Sequence, residues 1–148
     1  MLLQPRYGSG LHNTQVEEQL VEKPAEKSLL MTLLQVMHPN VQSRTIDMNP
    51  SAKDFDLIAS CRGYDLVILL TYNAHLFPRQ MEHAKKLLKQ KKEVVVVAIR
   101  NPYDVIDIPE AQTVLATYGF QDCSMRALAG VLCGEIVPKG VMPVRVEK

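Results

Sequence analysis

Three loops carry the residue types from which a reactive or binding site could be built. His75 has an imidazole, which gains and loses a proton near neutral pH. Asp104 and Asp107 form a close carboxylate pair, and paired carboxylates are the catalytic groups of glycoside hydrolysis. A glycine-rich turn, YGSG, could bind a phosphate through backbone N–H groups. The loops that contain these groups are residues 71–80, 100–107 and 6–14.

Local spacing gives none of the three loops a complete catalytic set. His75 has no carboxylate in its own loop and no serine or cysteine beside it, so we expect a surface or interface histidine. Asp104 and Asp107 share one turn and would not face each other across a sugar, so we interpret them as turn and cap residues. The glycine-rich turn is neither GxGxxG nor a P-loop, which favours a plain turn.

The cysteines and histidines do not predict a metal or a cofactor. The three cysteines are an odd number without a CxxC pair, and we expect each to act as a small apolar residue in a helix. The four histidines lack the spacing of metal ligands. We therefore expect no catalytic, metal-binding or cofactor-binding residue. The cysteines are Cys61, Cys123 and Cys133, and the histidines are His12, His38, His75 and His83.

Charge and hydropathy exclude several partners. The net charge of +1 argues against a nucleic-acid or membrane-surface protein. A lysine run within residues 85–92 is typical of a solvated helix face. No apolar run reaches the roughly 20 residues that cross a bilayer, and the first residues do not resemble a signal peptide. Cytoplasmic location follows if Met1 is the true start, and otherwise the location is that of the parent protein.

The elements that must position these loops alternate along the chain. Two continuous apolar runs, at 66–70 and 94–99, flank an amphipathic helix at 78–91, which predicts a βαβ unit with a buried parallel sheet. The pattern as a whole predicts an α/β fold, a three-layer α/β/α sandwich with a mostly parallel sheet of about five to six strands, in one domain over 1–148. The other helices are expected at 25–37, 51–62 and 122–133, and the other strands at 1–3, 41–48, 113–118 and 142–146.

Several short sequence motifs resemble those of the C-terminal domain of glycoside hydrolase family 3, in its β-N-acetylglucosaminidase (β-hexosaminidase) branch. The resemblance covers residues 64–146, whereas upstream only the order of elements fits. Met142 stands where the family motif has leucine, which conserves volume. The motifs are YDLVI from Tyr64, TYN from Thr71, PRQ from Pro78, VVVVAIRNPYD from Val94, LATYG from Leu115 and GEIVPKGVMPV from Gly134.

The resemblance implies a partner domain rather than a complete enzyme. The nucleophilic aspartate of such enzymes belongs to an N-terminal (β/α)8 barrel, which this chain is too short to contain. In the β-glucosidase branch, a loop before the Pro-x-x-Gln helix can donate a glutamate, but residues 72–77 hold no acid. In the N-acetylglucosaminidase branch an aspartate–histidine pair of the barrel does this work, and His75 is not that histidine. The chain alone is then expected to be inactive.

We expect the loops at 71–80 and 100–107 to contact that barrel or to form a wall of its sugar site. The barrel would belong to the same chain or to a separate one. An exposed apolar patch and self-association to a homo-oligomer would follow from an uncovered docking face. A flavodoxin-like module that binds a small ligand or anion, and an independent hydrolase with His75 as base, are the alternatives. The candidate residues are Asn73, His75, Arg79, Asn101, Tyr103 and Asp104.

Overall fold

A computed structural model describes residues 1–6 and 28–143 of the chain. Within them, five β-strands alternate with four α-helices, and three short 3-10 turns follow the second helix, the third strand and the fourth strand. The strands are β1 (Leu2–Arg6), β2 (Ser43–Asp47), β3 (Val67–Thr71), β4 (Val94–Ala98) and β5 (Thr113–Ala116). The helices are α1 (Leu29–Met37), α2 (Ala52–Ser60), α3 (Pro78–Gln90) and α4 (Asp122–Leu132).

All five strands pair in parallel, in the order β2-β1-β3-β4-β5. Leu2 of β1 lies between Ser43 of β2 and Ile68 of β3. Every residue of β3 is buried, which is why its sequence is a continuous apolar run rather than an alternating one. The three-layer α/β/α fold with a parallel sheet is therefore confirmed.

Each face of the sheet is covered by one pair of helices. On one face, α2 and α3 bury their apolar sides, and on the other α1 packs beside α4. Neighbouring residues of β3 point to opposite faces, so Leu69 joins the first core and Ile68 the second. The helix residues of the first core include Ile58, Met81, Ala84 and Leu87, and those of the second include Leu30, Leu34, Leu128 and Ala129.

α2 and α3 begin where their sequences predict, whereas α1 begins at Leu29, after the N-cap Ser28, and α2 ends at Ser60 rather than at residue 62. At the start of α2, the backbone N–H of Ser51 donates to the Asp54 carboxylate at 2.8 Å, and the two residues form a capping box. Pro78 occupies the first turn of α3, where its missing N–H is not needed. Beyond α4, Gly134 has a φ of +77°, the left-handed conformation that ends many helices.

Three predicted ends differ in the structure. β1 continues to Arg6 instead of ending at residue 3, and β5 ends at Ala116 because Tyr118 takes a positive φ of 56°. The sequence also predicted Asp122 as the cap of α4, but Asp122 is the first residue of that helix and Gln121 holds the N-cap position.

Other predictions concern the ends of the chain and the cysteines. Met142 and Pro143 are not in a strand, and residues 144–146 of that predicted strand lie outside the described residues, as do residues 25–27 of the first predicted helix. Cys61 is buried and Cys133 is partly buried against the second core, as predicted for packed small apolar residues, whereas Cys123 is exposed and does not fit that prediction. Within the described ranges, no helix has the length and hydropathy to cross a membrane.

Candidate functional site

The candidate site lies where β3 and β4 end, at the carboxyl edge of the sheet. Because parallel neighbours end at the same edge, the loops that follow them are adjacent, and open α/β sheets bind ligands there. After β3, Asn73 adopts a left-handed conformation (φ 47°) and a 3-10 turn, Ala74–Leu76, leads to α3. After β4, the Asn101 side chain accepts the Tyr103 backbone N–H at 3.1 Å and starts the turn Pro102–Val105.

The two loops are joined by His75 and Asp104. Asp104 is fully buried, and its Oδ1 lies 2.8 Å from His75 Nδ1 and accepts the His75 backbone N–H at 3.2 Å. The His75 ring is 24% exposed and meets the Tyr103 ring edge-on, with centroids 6.2 Å apart. Asp104 is therefore the orienting carboxylate that His75 lacks within its own loop, and Asn101 is the cap residue. Asp104 lies in a turn, as predicted, but it is not the cap residue, and its carboxylate binds His75.

This pair can orient an imidazole but does not complete a nucleophilic site. A neutral His75 that donates Nδ1–H to Asp104 presents Nε2 as an acceptor. In the described part of the chain, His75 makes hydrogen bonds only to Asp104, so no serine or cysteine is activated by it. Asp104 Oδ2 has no hydrogen-bond partner among the described residues, although it is buried. The geometry therefore suits a histidine that binds or positions a partner group, and not a base that activates a nucleophile.

A buried glutamine fixes the end of β3, and the sequence did not single it out as a site residue. Gln80 Oε1 accepts the Tyr72 backbone N–H at 2.9 Å, and its Nε2 donates to the Met48 carbonyl at 3.3 Å. Gln80 thus ties β3 to the segment after β2 and holds the first turn of α3 against the sheet. A polar residue at a buried position of an amphipathic helix is the signal that could have identified it.

Arg79 does not join His75 and Asp104. Its guanidinium lies 5.7 Å from the ring centroid of Phe55, which belongs to α2. Asn73 stands between Tyr72 and the 3-10 turn of His75, so its left-handed backbone shapes the same loop. The glycine-rich loop at 6–14 lies almost wholly outside the described residues, and the anion-binding alternative stays a prediction.

Apolar side chains on these two turns are exposed. Leu76 is 65% exposed, Tyr103 52% and Ile106 42%. They belong to, or directly follow, the two turns that the His75–Asp104 bond joins, and we call these three residues the carboxyl-edge patch. The resemblance implied an exposed apolar patch at a docking face, and these three residues are candidates for it.

Two other titratable groups are buried, His83 in α3 and Cys61 near Met1 at the opposite, amino edge of the sheet. His83 is 2% exposed, and its Nε2 lies 3.0 Å from the Asp54 carbonyl oxygen. Burial lowers the pKa of His83, against the opposing effects of the Asp54 carbonyl and carboxylate. Burial likewise raises the pKa of the Cys61 thiol, which disfavours a reactive thiolate. Within residues 1–6 and 28–143, no group of histidine, cysteine and acidic side chains is arranged to hold a metal ion.

Comparison with solved structures shows a protein of similar fold and sequence. The chain superposes on a glycoside hydrolase family 3 β-N-acetylglucosaminidase from Paenibacillus sp. str. FPU-7 with a TM-score of 0.77 and 27% identity, over 98% of this chain. The chain is similar to family 3 β-N-acetylglucosaminidases. The resemblance stated from the sequence motifs is thereby confirmed.

A second structure shows the same fold, and both are much longer proteins. It is a fungal multi-domain family 3 β-N-acetylglucosaminidase with a GCN5-related glucosamine N-acetyltransferase region, matched with a TM-score of 0.75 and 24% identity. The chain spans 27% of the length of the bacterial protein and 15% of the fungal one. No protein-family profile matches the chain. No curated protein matches it either.

Proposed function

We propose that the chain is the non-catalytic C-terminal domain of a family 3 β-N-acetylglucosaminidase. It packs against a (β/α)8 barrel, in the same or a separate chain, which hydrolyses terminal N-acetylglucosamine from cell-wall-type glycosides. The observation that carries the proposal is the match to the bacterial enzyme, which takes in 98% of this chain but only 27% of the enzyme. Nearly the whole chain thus corresponds to one part of a larger glycosidase.

The candidate site supports a non-catalytic role. His75 and Asp104 are hydrogen-bonded to each other at the carboxyl edge, and the only hydrogen bonds of His75 in the described residues run to Asp104. Most glycoside hydrolases place two carboxyl groups on either side of the scissile bond, and in the branch that the sequence resembles the acid/base is an aspartate–histidine pair of the barrel. Asp104 is fully buried and bound to His75, so it cannot reach a glycosidic bond without leaving its pocket.

The carboxyl-edge patch supports the docking role. Leu76 and Tyr103 are more than half exposed, and they flank the fixed imidazole of His75. Covering such side chains yields about 25 cal/mol for each Å² of apolar surface removed from water. A buried partner surface with a hydrogen-bond donor for His75 Nε2 would complete this face.

The first test is hydrolysis of a chromogenic N-acetylglucosaminide by the 148-residue chain alone. We expect the chain alone to give no turnover above the buffer control. A separately produced barrel domain should hydrolyse the substrate, and its rate should change when the chain is added. Hydrolysis by the chain alone would overturn the proposal.

The docking face is tested with patch variants in a sedimentation assay with the same barrel domain. We expect Leu76→Ser and Tyr103→Ser to weaken the complex about tenfold each, because anchor side chains at an interface are commonly worth 1 kcal/mol or more. The matched control is Val36→Ser, which changes a residue of α1 that is 75% exposed and lies away from the patch. Equal binding by the patch variants and the control would contradict docking through this face.

A further inference from the structure

A groove runs along α3, starting beside His75. Its volume is about 630 Å³, and it lies between α3 and the loop that follows β4. From Pro78 to Lys89 the helix rises about 16 Å, at 1.5 Å per residue, which is long enough for several sugar rings or an extended chain. Its apolar part is lined by Ala74, Pro78 and Met81, and its polar part by His75, Glu82, Lys85, Lys86, Lys89 and Asp107.

Two lysines of the groove have no internal counter-charge. Lys85 and Lys89 are four residues apart on α3, so they share one helix face, and neither makes an ion pair within the described residues. Lys86 Nζ lies 5.1 Å from the ring centroid of Phe55. By contrast, Lys91 outside the groove binds Glu93 at 2.9 Å. The lysine run is exposed or partly exposed, as predicted for a solvated helix face, and Lys85, Lys86 and Lys89 also line the groove.

The acidic residues of the groove restrict which anion fits. Glu82 and Asp107 line the same space as the three lysines, so one net positive charge remains while His75 is neutral. A polyphosphate or nucleic acid would meet two carboxylates there and be repelled. A ligand with one acidic group and many hydroxyls suits the groove better, because carboxylates accept hydroxyl hydrogen bonds and ammonium groups bind a carboxylate.

One end of the groove is rigid. His75 is fixed by Asp104, which is fully buried and whose Oδ2 is left without a partner in the described residues. The ring is thereby held in one orientation beside Ala74 and Pro78. A preorganised polar group next to an apolar surface is the usual makeup of a small-molecule site.

We propose that this groove binds a carboxylate-bearing saccharide. Lys85 and Lys89 hold the carboxylate, Glu82 and Asp107 accept sugar hydroxyls, and the apolar side of a ring lies on the exposed Pro78. This goes beyond the proposed function, since it assigns the chain a ligand of its own and does not require the barrel.

The test is titration of the 148-residue chain at low salt, followed by NMR or calorimetry. The probe is a hyaluronan tetrasaccharide, which carries a carboxylate on every second ring, and neutral chitotetraose is its uncharged counterpart. We expect a Kd of about 0.1–1 mM for the acidic probe, with binding at least tenfold weaker for chitotetraose. Equal binding of both probes, or no binding of the acidic probe at 10-fold that concentration (about 10 mM), would overturn the proposal.

Variants locate the binding. We expect Lys85→Gln and Lys89→Gln each to weaken the acidic probe about threefold, as for partly exposed ion pairs, and the double variant about tenfold. Lys92→Gln removes an exposed charge from the same run outside the groove and should leave the Kd within about twofold. An equal loss in Lys92→Gln would mean nonspecific attraction and would contradict the site. Failure here leaves the barrel-docking assay unaffected, since that assay changes Leu76 and Tyr103.

Discussion

His75 Nδ1 and Asp104 Oδ1 are 2.8 Å apart although 29 residues separate them in the chain. The bond connects the loop after β3 to the loop after β4 and buries a carboxylate completely. A buried carboxylate is stable only when it is hydrogen-bonded, so the two loops depend on each other.

Removing either partner should show this dependence. We expect His75→Ala to lower the free energy of unfolding by about 2 kcal/mol, because Asp104 keeps a buried charge with one fewer donor. Asp104→Asn should cost only about 1 kcal/mol, since an amide oxygen still accepts both N–H groups. The measurement is urea denaturation, with exposed His38→Ala as the control. If the double variant loses the full sum of the two single losses, the side chains are not coupled.

The buried His83 should make stability depend on pH. Burial lowers its pKa in the folded protein below the ordinary value of 6.5, so the unfolded chain binds more protons once the pH falls below that value. The contribution of His83 is therefore fully present above about pH 6.5 and is lost as the pH falls further. Urea denaturation from pH 8 to pH 5 measures it. We expect His83→Gln to flatten this part of the profile and His38→Gln to leave it as in the parent. A profile unchanged by His83→Gln would refute the assignment.

Gln80 should contribute more to the free energy of unfolding than Gln90, an exposed glutamine at the end of the same helix. In Gln80→Leu, the buried Tyr72 N–H and the Met48 carbonyl lose their partner, and we expect a loss of about 2 kcal/mol. Gln90→Leu changes an exposed position and should stay within about 0.5 kcal/mol of the parent. Thermal or urea unfolding compares the two, and similar losses would show that the two hydrogen bonds do not matter.

Gly134 should tolerate a side chain poorly and Gly140 well. At a φ of +77°, Gly134→Ala forces alanine into the left-handed region, and we expect a loss of about 1 kcal/mol. Gly140 does not have such a φ, and a methyl group there meets nothing within 4 Å. Gly140→Ala should be neutral or slightly stabilising. Equal effects in urea denaturation would mean that Gly134 does not terminate α4.

The central strands and the start of α2 could be predicted, because each is determined by one short stretch of sequence. The apolar runs of β3 and β4 require burial on both faces, and the Ser51–Asp54 capping box fixes the start of α2. β1 was predicted only for residues 1–3, short of Pro5, a residue type that disfavours a central strand. Within β1 only Leu2 and Leu3 pair with β3, so Pro5 lies beyond that ladder, although it is in register with Ile46 of β2.

The site was less predictable because it depends on tertiary contacts. The residues of both loops were identified, but the His75–Asp104 bond exists only once β3 and β4 are paired. The early end of β5 rests on the positive φ of Tyr118, and tyrosine does not signal that conformation. Gln80 reaches two strands at once, which no single stretch of sequence encodes.

The place of β1 in the sheet has a consequence for folding. β1 precedes the other described strands in the chain yet lies between β2 and β3, so Leu2 has both Ser43 and Ile68 as neighbours. Closing loops of this length costs chain entropy before any pairing compensates for it, so folding through such distant contacts is slow. β1 therefore stays unpaired on its β3 side until the segment that contains Ile68 has also been synthesised and can fold back onto it.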